Sequence, residues 1–156
     1  MSFWDSVKKF TQPYSDEEMA EIEEKNLHYD YQMPQMGCAE HRDRDFRLKA
    51  TRIARAGYRC CIDENHVTFA TPNMPNFVEC HHIVPLAAQR EIPTINLDRL
   101  ENLAPLCPVC HSAIHCGTPE VQNAIFEKLL ELYGDDLERI GVSRDTAREM
   151  FARYSE

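Results

Sequence analysis

The chain contains no apolar run approaching the roughly 20 residues a helix needs to cross a bilayer, so nothing in it reads as a membrane span. Its first residues, Met1-Ser2-Phe3-Trp4-Asp5-Ser6-Val7-Lys8-Lys9, lack the apolar centre of a secretory signal. A cytoplasmic protein with no membrane partner is expected. Internal repeats and low-complexity tracts are also missing. Positive charge is scarce: 17 Lys and Arg against 26 Asp and Glu leave a net charge of −9. That balance is awkward for a nucleic-acid partner, because such domains are usually basic. The seven cysteines are an odd number, which argues against a fully paired disulfide framework. In a reducing compartment they read as metal ligands or buried apolar residues.

What is present is enough for one domain, or one domain with an appendage, in 156 residues of which 43% are apolar. A core of that size is modest, and a bound metal would help it. The charge is unevenly spread. Residues 1–40 hold 3 basic and 9 acidic side chains, whereas residues 41–59 hold 7 basic and 2 acidic ones. One basic element thus sits in an acidic chain.

Residues 1–14 read as a short helix or arm ending at Pro13. Ser15 with Glu18 forms a capping-box pattern at the head of a helix reaching about Asn26, and Asp16, Glu17 and Glu18 suit its positive end. Residues 27–40 read as an irregular connection, with Cys38 outside any metal site. A helix is expected over Arg42–Ala56, with Phe46, Ala50 and Ile53 as its apolar stripe and Gly57 as its stop. Strand character runs from Phe77 to Ile83 and again from Leu103 to Leu106, around a loop with some helical potential. A helix from about Pro108 to Cys116 follows, ended by Gly117. Thr118 and Pro119 open the next, with Val121, Ile125, Leu129, Leu132 and Tyr133 on its apolar side and Gly134 as its end. A short helical turn at Leu137–Ile140 and a last helix capped by Ser143 complete the chain.

The chemistry concentrates between Glu79 and His115. Cys107-Pro108-Val109-Cys110 has the two-residue spacing that lets two thiolates reach one zinc ion at about 2.3 Å. Two more ligands are needed; His66 with Cys60 or Cys61 can supply them. His111 and His115 are four apart and share a helix face, so both imidazoles can hold one cation. In a strand, neighbouring side chains point to opposite faces, so His81 and His82 divide two jobs. One joins the metal; the other addresses a water. Imidazole suits both roles near neutral pH. Asn102 has an amide that can tie down the connecting loop and hold the base in orientation. Glu79 either supports the metal or is an ordinary strand carboxylate.

His81-His82, Asn102 and His111, in that order, resemble the three parts of the HNH endonuclease motif. The Cys107/Cys110 knuckle is similar to that of the zinc-containing branch found in bacterial restriction and phage-defence nucleases. The segment with Cys60, Asp63, His66, Thr68 and Phe69, and Gln89 in the loop, resemble that branch too. The resemblance covers roughly Arg44 to Tyr133. It implies an α+β fold: a ββα-metal core with a structural zinc site, flanked by N- and C-terminal helices. By resemblance, His82 is the general base and Asn102 orients the site. His81 and His111 are ligands of the catalytic metal, with His115 the third; Mg²⁺, Mn²⁺, Ni²⁺ or Zn²⁺ would serve. Cys60, His66, Cys107 and Cys110 hold structural Zn²⁺, Cys60 matching better than Cys61. The implied division is an acidic helical arm at 1–40, a nuclease domain at 41–134 and a C-terminal helical extension at 135–156 packed on the core.

The implied activity is hydrolysis of DNA phosphodiester bonds in restriction or anti-phage defence, leaving a 5′-phosphate and a 3′-hydroxyl. Arg44, Arg47, Arg52 and Arg55 are candidate phosphate contacts, against the plainer reading of a solvated basic face. Because affinity for phosphates comes from positive charge, a chain this acidic is expected to act as a homodimer or with a partner subunit. The alternatives are a non-catalytic, zinc-stabilised module that binds nucleic acid or protein, and an RNA-directed nuclease.

Overall fold

The computed structural model describes residues 2, 11–31 and 39–155, apart from the side chains of 39–45. Most of the expected arm at 1–14, much of the connection at 27–40 with Cys38, and the side chain of Arg44 lie outside the described residues. Helix α1 (Asp16–Leu27) begins at the expected capping box. The Glu18 N–H donates to Ser15 Oγ at 3.1 Å, and the Ser15 N–H donates to the Glu18 carboxylate at 3.2 Å. Two of the first-turn donors that a helix leaves orphaned are thereby tied up. Helix α2 (Ala39–Arg55) starts earlier than the sequence predicts. It ends at Gly57, where the Gly57 N–H reaches Ala54 O and the Tyr58 N–H reaches Ile53 O.

The expected apolar stripe of α2 is only partly correct. Ile53 is buried, but Phe46 is 56% exposed, and Leu48 and Thr51 are the other buried positions among the described side chains. Phe46 and Ala50 instead line an open cleft.

Strand β1 (Glu79–His82) pairs antiparallel with β2 (Leu103–Leu106), placing Glu79 opposite Leu106, His81 opposite Ala104 and His82 opposite Leu103. β1 is shorter than the strand expected from Phe77 to Ile83. Between the strands the chain forms 3-10 turns at Leu86–Glu91 and Leu100–Asn102. Helix α3 (Pro108–Cys116) follows β2 directly, with Cys107 as its cap.

Helix α4 (Pro119–Arg139) runs through Gly134 rather than stopping there, absorbing the separate turn expected at Leu137–Ile140. A Cβ at Gly134 would lie 2.5 Å from Arg144 Nε, at the flexible end of that side chain. Gly141, at φ +102°, follows the helix end instead. The buried face of α4 is also rotated from the expected one. Phe126, Leu129, Leu130 and Leu137 are buried, whereas Val121 and Leu132 are exposed. Helix α5 (Arg144–Tyr154), capped by Ser143, packs back through Phe151, whose ring stacks on Phe126 at 4.1 Å.

Strand alternation gives the hairpin two faces with different cores. Ala104 and Leu106 join Ile83, Ile114, Phe126, Leu129 and Phe151 in the larger cluster. Cys80 and Leu103 join Met19, Ile22, Leu48 and Val78 in the smaller one, under α1 and α2. The architecture is α+β, a two-stranded sheet within a helical shell. Among the described residues, no helix is long and apolar enough to cross a membrane.

Candidate metal centres and active site

The cysteine knuckle is built by the start of α3. Cys107 is the N-cap residue, and its sulfur accepts the Cys110 N–H at 3.4 Å. Pro108, at the first helical position, has no N–H to leave unpaired. Cys60 and His66 arrive from the loop after α2. His66 Nδ1 stands 3.6 Å from Cys107 Sγ and 3.5 Å from Cys110 Sγ. A tetrahedral zinc with ordinary Zn–S and Zn–N bonds would separate such donors by about 3.5 Å. The donor atoms of Cys60, His66, Cys107 and Cys110 all lie within 4.8 Å of one another, so the group can hold a zinc ion.

Burial pushes the Cys60 thiol up, but N–H donors of the backbone at Cys107, Asp63 and Ile62, with His66, overcome it and hold it at about 7. The Cys110 thiol is driven up by burial and by its neighbours Cys107 and Cys60. Cys110, crowded and buried in this way, resists ionisation unless a cation compensates it. Cys61, the alternative ligand, is not part of the group. Burial raises its thiol to about 11, and it faces Tyr133.

The knuckle also sets where the next two turns of α3 point. His111 and His115 share one face, as their spacing requires, and meet His81 from β1. His81 Nδ1 lies 3.2 Å from His115 Nε2, and His115 Nε2 lies 3.2 Å from His111 Nε2. Three nitrogens this close could hold a single cation, since imidazole ligands at Zn–N bond lengths sit about 3.3 Å apart. Glu79, on the same strand face as His81, places Oε2 2.9 Å from His111 Nδ1. The carboxylate accepts a hydrogen bond from Nδ1–H and leaves the Nε2 lone pair toward the cluster. Burial, then the neighbouring His115 and His111, push His81 down to about 3, so its ring is neutral. Burial and His111 lower His115 as well. His81 Nε2 is buried with no hydrogen-bond partner among the described residues.

His82 turns to the other strand face, where its Nε2 lies 2.9 Å from Asp98 Oδ1. All four histidines nevertheless border one cleft of about 300 Å³. This cleft shares Lys49, Cys80 and His111 with a larger one of about 870 Å³, whose walls include Phe46, Ala50, Ile53 and Phe77. Asn102 is fully buried, and its amide hydrogen-bonds Val84 and Leu97 rather than His82. Its amide donates to Val84 O and Leu97 O and accepts from the Val84 N–H. Gln89 is a second loop anchor, accepting the Leu97 N–H and donating to Ile92 O and Ile95 O. Asp98 went unnoticed in the sequence. It stands 16 residues beyond His82 in an irregular loop, and no periodicity links the two.

The arginines of α2 are largely engaged within the fold. Arg47 pairs with Glu18 at 2.9 Å, donates to Gln12 O and lies over the Tyr14 ring at 4.3 Å. Arg52 donates to Leu103 O and lies over Tyr133. Arg55 is more exposed, 3.8 Å from Asp16. The structure thus brings together the two metal-ligand groups but not Arg47 or Arg52 as free cations.

A strand pair leads into a helix, and imidazoles of both converge beside a Cys/His knuckle: a ββα unit with two groups that could hold metal ions. Residues 59–117 match the model of the family described as HNH endonuclease. HNH domains are generally nucleases. A comparison with curated proteins found no match.

Proposed function

We propose that the protein is a metal-dependent endonuclease that hydrolyses DNA phosphodiester bonds. The observation that supports this best is the meeting of His81, His111 and His115 nitrogens at 3.2 Å beside His82 in one cleft. These three imidazoles would hold one divalent cation: Mg²⁺, Mn²⁺, Ni²⁺ or Zn²⁺. When bound, it would stabilise the charge developing on the phosphate and its leaving oxygen. His82 takes a proton from water. The water oxygen bonds to phosphorus as the P–O3′ bond breaks, and O3′ takes a proton from solvent, giving a 5′-phosphate and a 3′-hydroxyl. Asn102 keeps the base in place through the backbone it ties down. Cys60, His66, Cys107 and Cys110, holding Zn²⁺, clip the loop after α2 to the start of α3 and so steady His111 and His115. Residues 41–134 are the working unit, with 1–40 as an acidic helical arm and 135–156 as a helical extension packed on the core.

DNA affinity needs a source beyond α2, since the net charge is −9 and Arg47 and Arg52 are occupied. A homodimer or a partner subunit would provide it, leaving Arg55 and Arg44 the remaining candidates on this helix. Restriction or anti-phage defence in the cytoplasm is the setting the family resemblance favours.

The test is plasmid cleavage with each of the four ions, beside His82→Ala and beside RNA of similar length. Wild type should nick or linearise the plasmid, and His82→Ala should be slower by about 10²–10⁴-fold, the usual worth of a general base. Cleavage of RNA alone makes the enzyme RNA-directed. Nucleic-acid binding with no cleavage under any ion makes it a binding module.

A further inference from the structure

Asp98 is 4% exposed, a carboxylate held almost out of water against a histidine. Burying such a group is costly unless it is well partnered. Its place is set from both sides by side-chain amides. Gln89 Oε1 accepts the Leu97 N–H at 3.0 Å, Asn102 Nδ2 donates to Leu97 O at 2.8 Å, and Asn96 Oδ1 accepts the Asp98 N–H at 3.0 Å. Asn102 also pairs with Val84, accepting its N–H at 2.8 Å and donating to its carbonyl at 2.9 Å. Val84 lies two residues beyond His82, and Leu97 one before Asp98. One buried amide therefore fastens the chain segments that carry both partners.

A carboxylate only accepts, so the 2.9 Å contact places the His82 proton on Nε2. The Nδ1 lone pair is then the one left for the cleft. We propose that Asp98 is the positioning residue of His82: it holds the Nε2–H form, aims Nδ1 at water and stabilises the imidazolium once a proton has been taken. This rests on the nuclease reading. The water proton moves to Nδ1 and the electron pair of its O–H bond stays with the oxygen that attacks phosphorus. Asp98 keeps its charge and its hydrogen bond throughout.

The experiment combines kinetics with ¹⁵N-histidine NMR on the full chain. Asp98→Asn presents an N–H to Nε2 and favours the wrong tautomer, so kcat should fall by about 10²–10⁴-fold with KM little changed. In the His82→Ala background the same substitution should cost less than about threefold more, because the two residues act as one unit. The wild-type spectrum should show His82 protonated at Nε2. This measurement decides the matter even if Asp98→Asn fails to fold. An Nδ1–H tautomer, full activity in Asp98→Asn, or losses that simply multiply in the double variant would overturn the role of Asp98 alone. A wild type that cuts nothing with any of the four ions would instead overturn the nuclease reading, and the catalytic role of Asp98 with it.

Discussion

Glu79 and His111 show how far a single contact can carry a site. The carboxylate 2.9 Å from His111 Nδ1 selects the tautomer whose Nε2 faces His81 and His115. Partners of this kind commonly contribute 10–100-fold in metal affinity. Glu79→Gln should therefore weaken Mn²⁺ binding by about 10–100-fold, read by titration calorimetry on zinc-loaded protein, with little change in thermal stability. An unchanged affinity would make Glu79 an ordinary strand carboxylate. Of the two open readings of Glu79 in the sequence, its geometry favours support of the metal. Strand alternation puts it on the face of His81, but only the packing of α3 brings His111 within reach.

Among the elements, α3 depends most on what surrounds it. It has nine residues, too few for an isolated helix to persist in water. Its hold comes from Cys107 at the cap, Pro108 in the first turn, the packing of Ile114 in the core and its contact with α4. The caps were legible because capping is local: Ser15, Thr118 and Ser143 each accept the N–H three positions along. The end of α4 was not, because Gly134 lies within the helix and the glycine with a positive φ is Gly141 beyond it. At Gly141 the positive φ is a real constraint, since an L side chain there is strained. Ile95 Cδ1 also stands 3.1 Å from where a Cβ would be. Gly141→Ala should destabilise the fold by about 1–2 kcal/mol, seen as a melting-temperature drop of roughly 2–8 °C by calorimetry. Cleavage at low temperature should persist.

Across the whole molecule, the hairpin is a partition between two small cores, and the Cys/His group clips the loop after α2 to the helix on the larger one. A bound zinc would then add folding free energy directly. Stripping it with a strong chelator, or substituting Cys107→Ala, should lower the melting temperature by about 10 °C or more, since each kcal/mol moves a chain of this size about 2–4 °C. The metal content, measured by mass spectrometry, should fall from one tightly held zinc to none. A chain that melts unchanged after losing zinc would reduce the group to buried thiols.

The sequence alone determined the capped helix starts at Ser15, Thr118 and Ser143, the strand pair and the residue types of both candidate ligand groups. Those features follow from neighbours within a turn or two, or from donor types that few other chemistries need. Only the tertiary structure chose Cys60 over Cys61, turned α4 to bury Phe126 and Leu130, drew Arg47 and Arg52 into the fold, and set Asp98 against His82. Each of these depends on which distant surface a side chain meets when the cores close. Spacing along the chain does not encode that meeting.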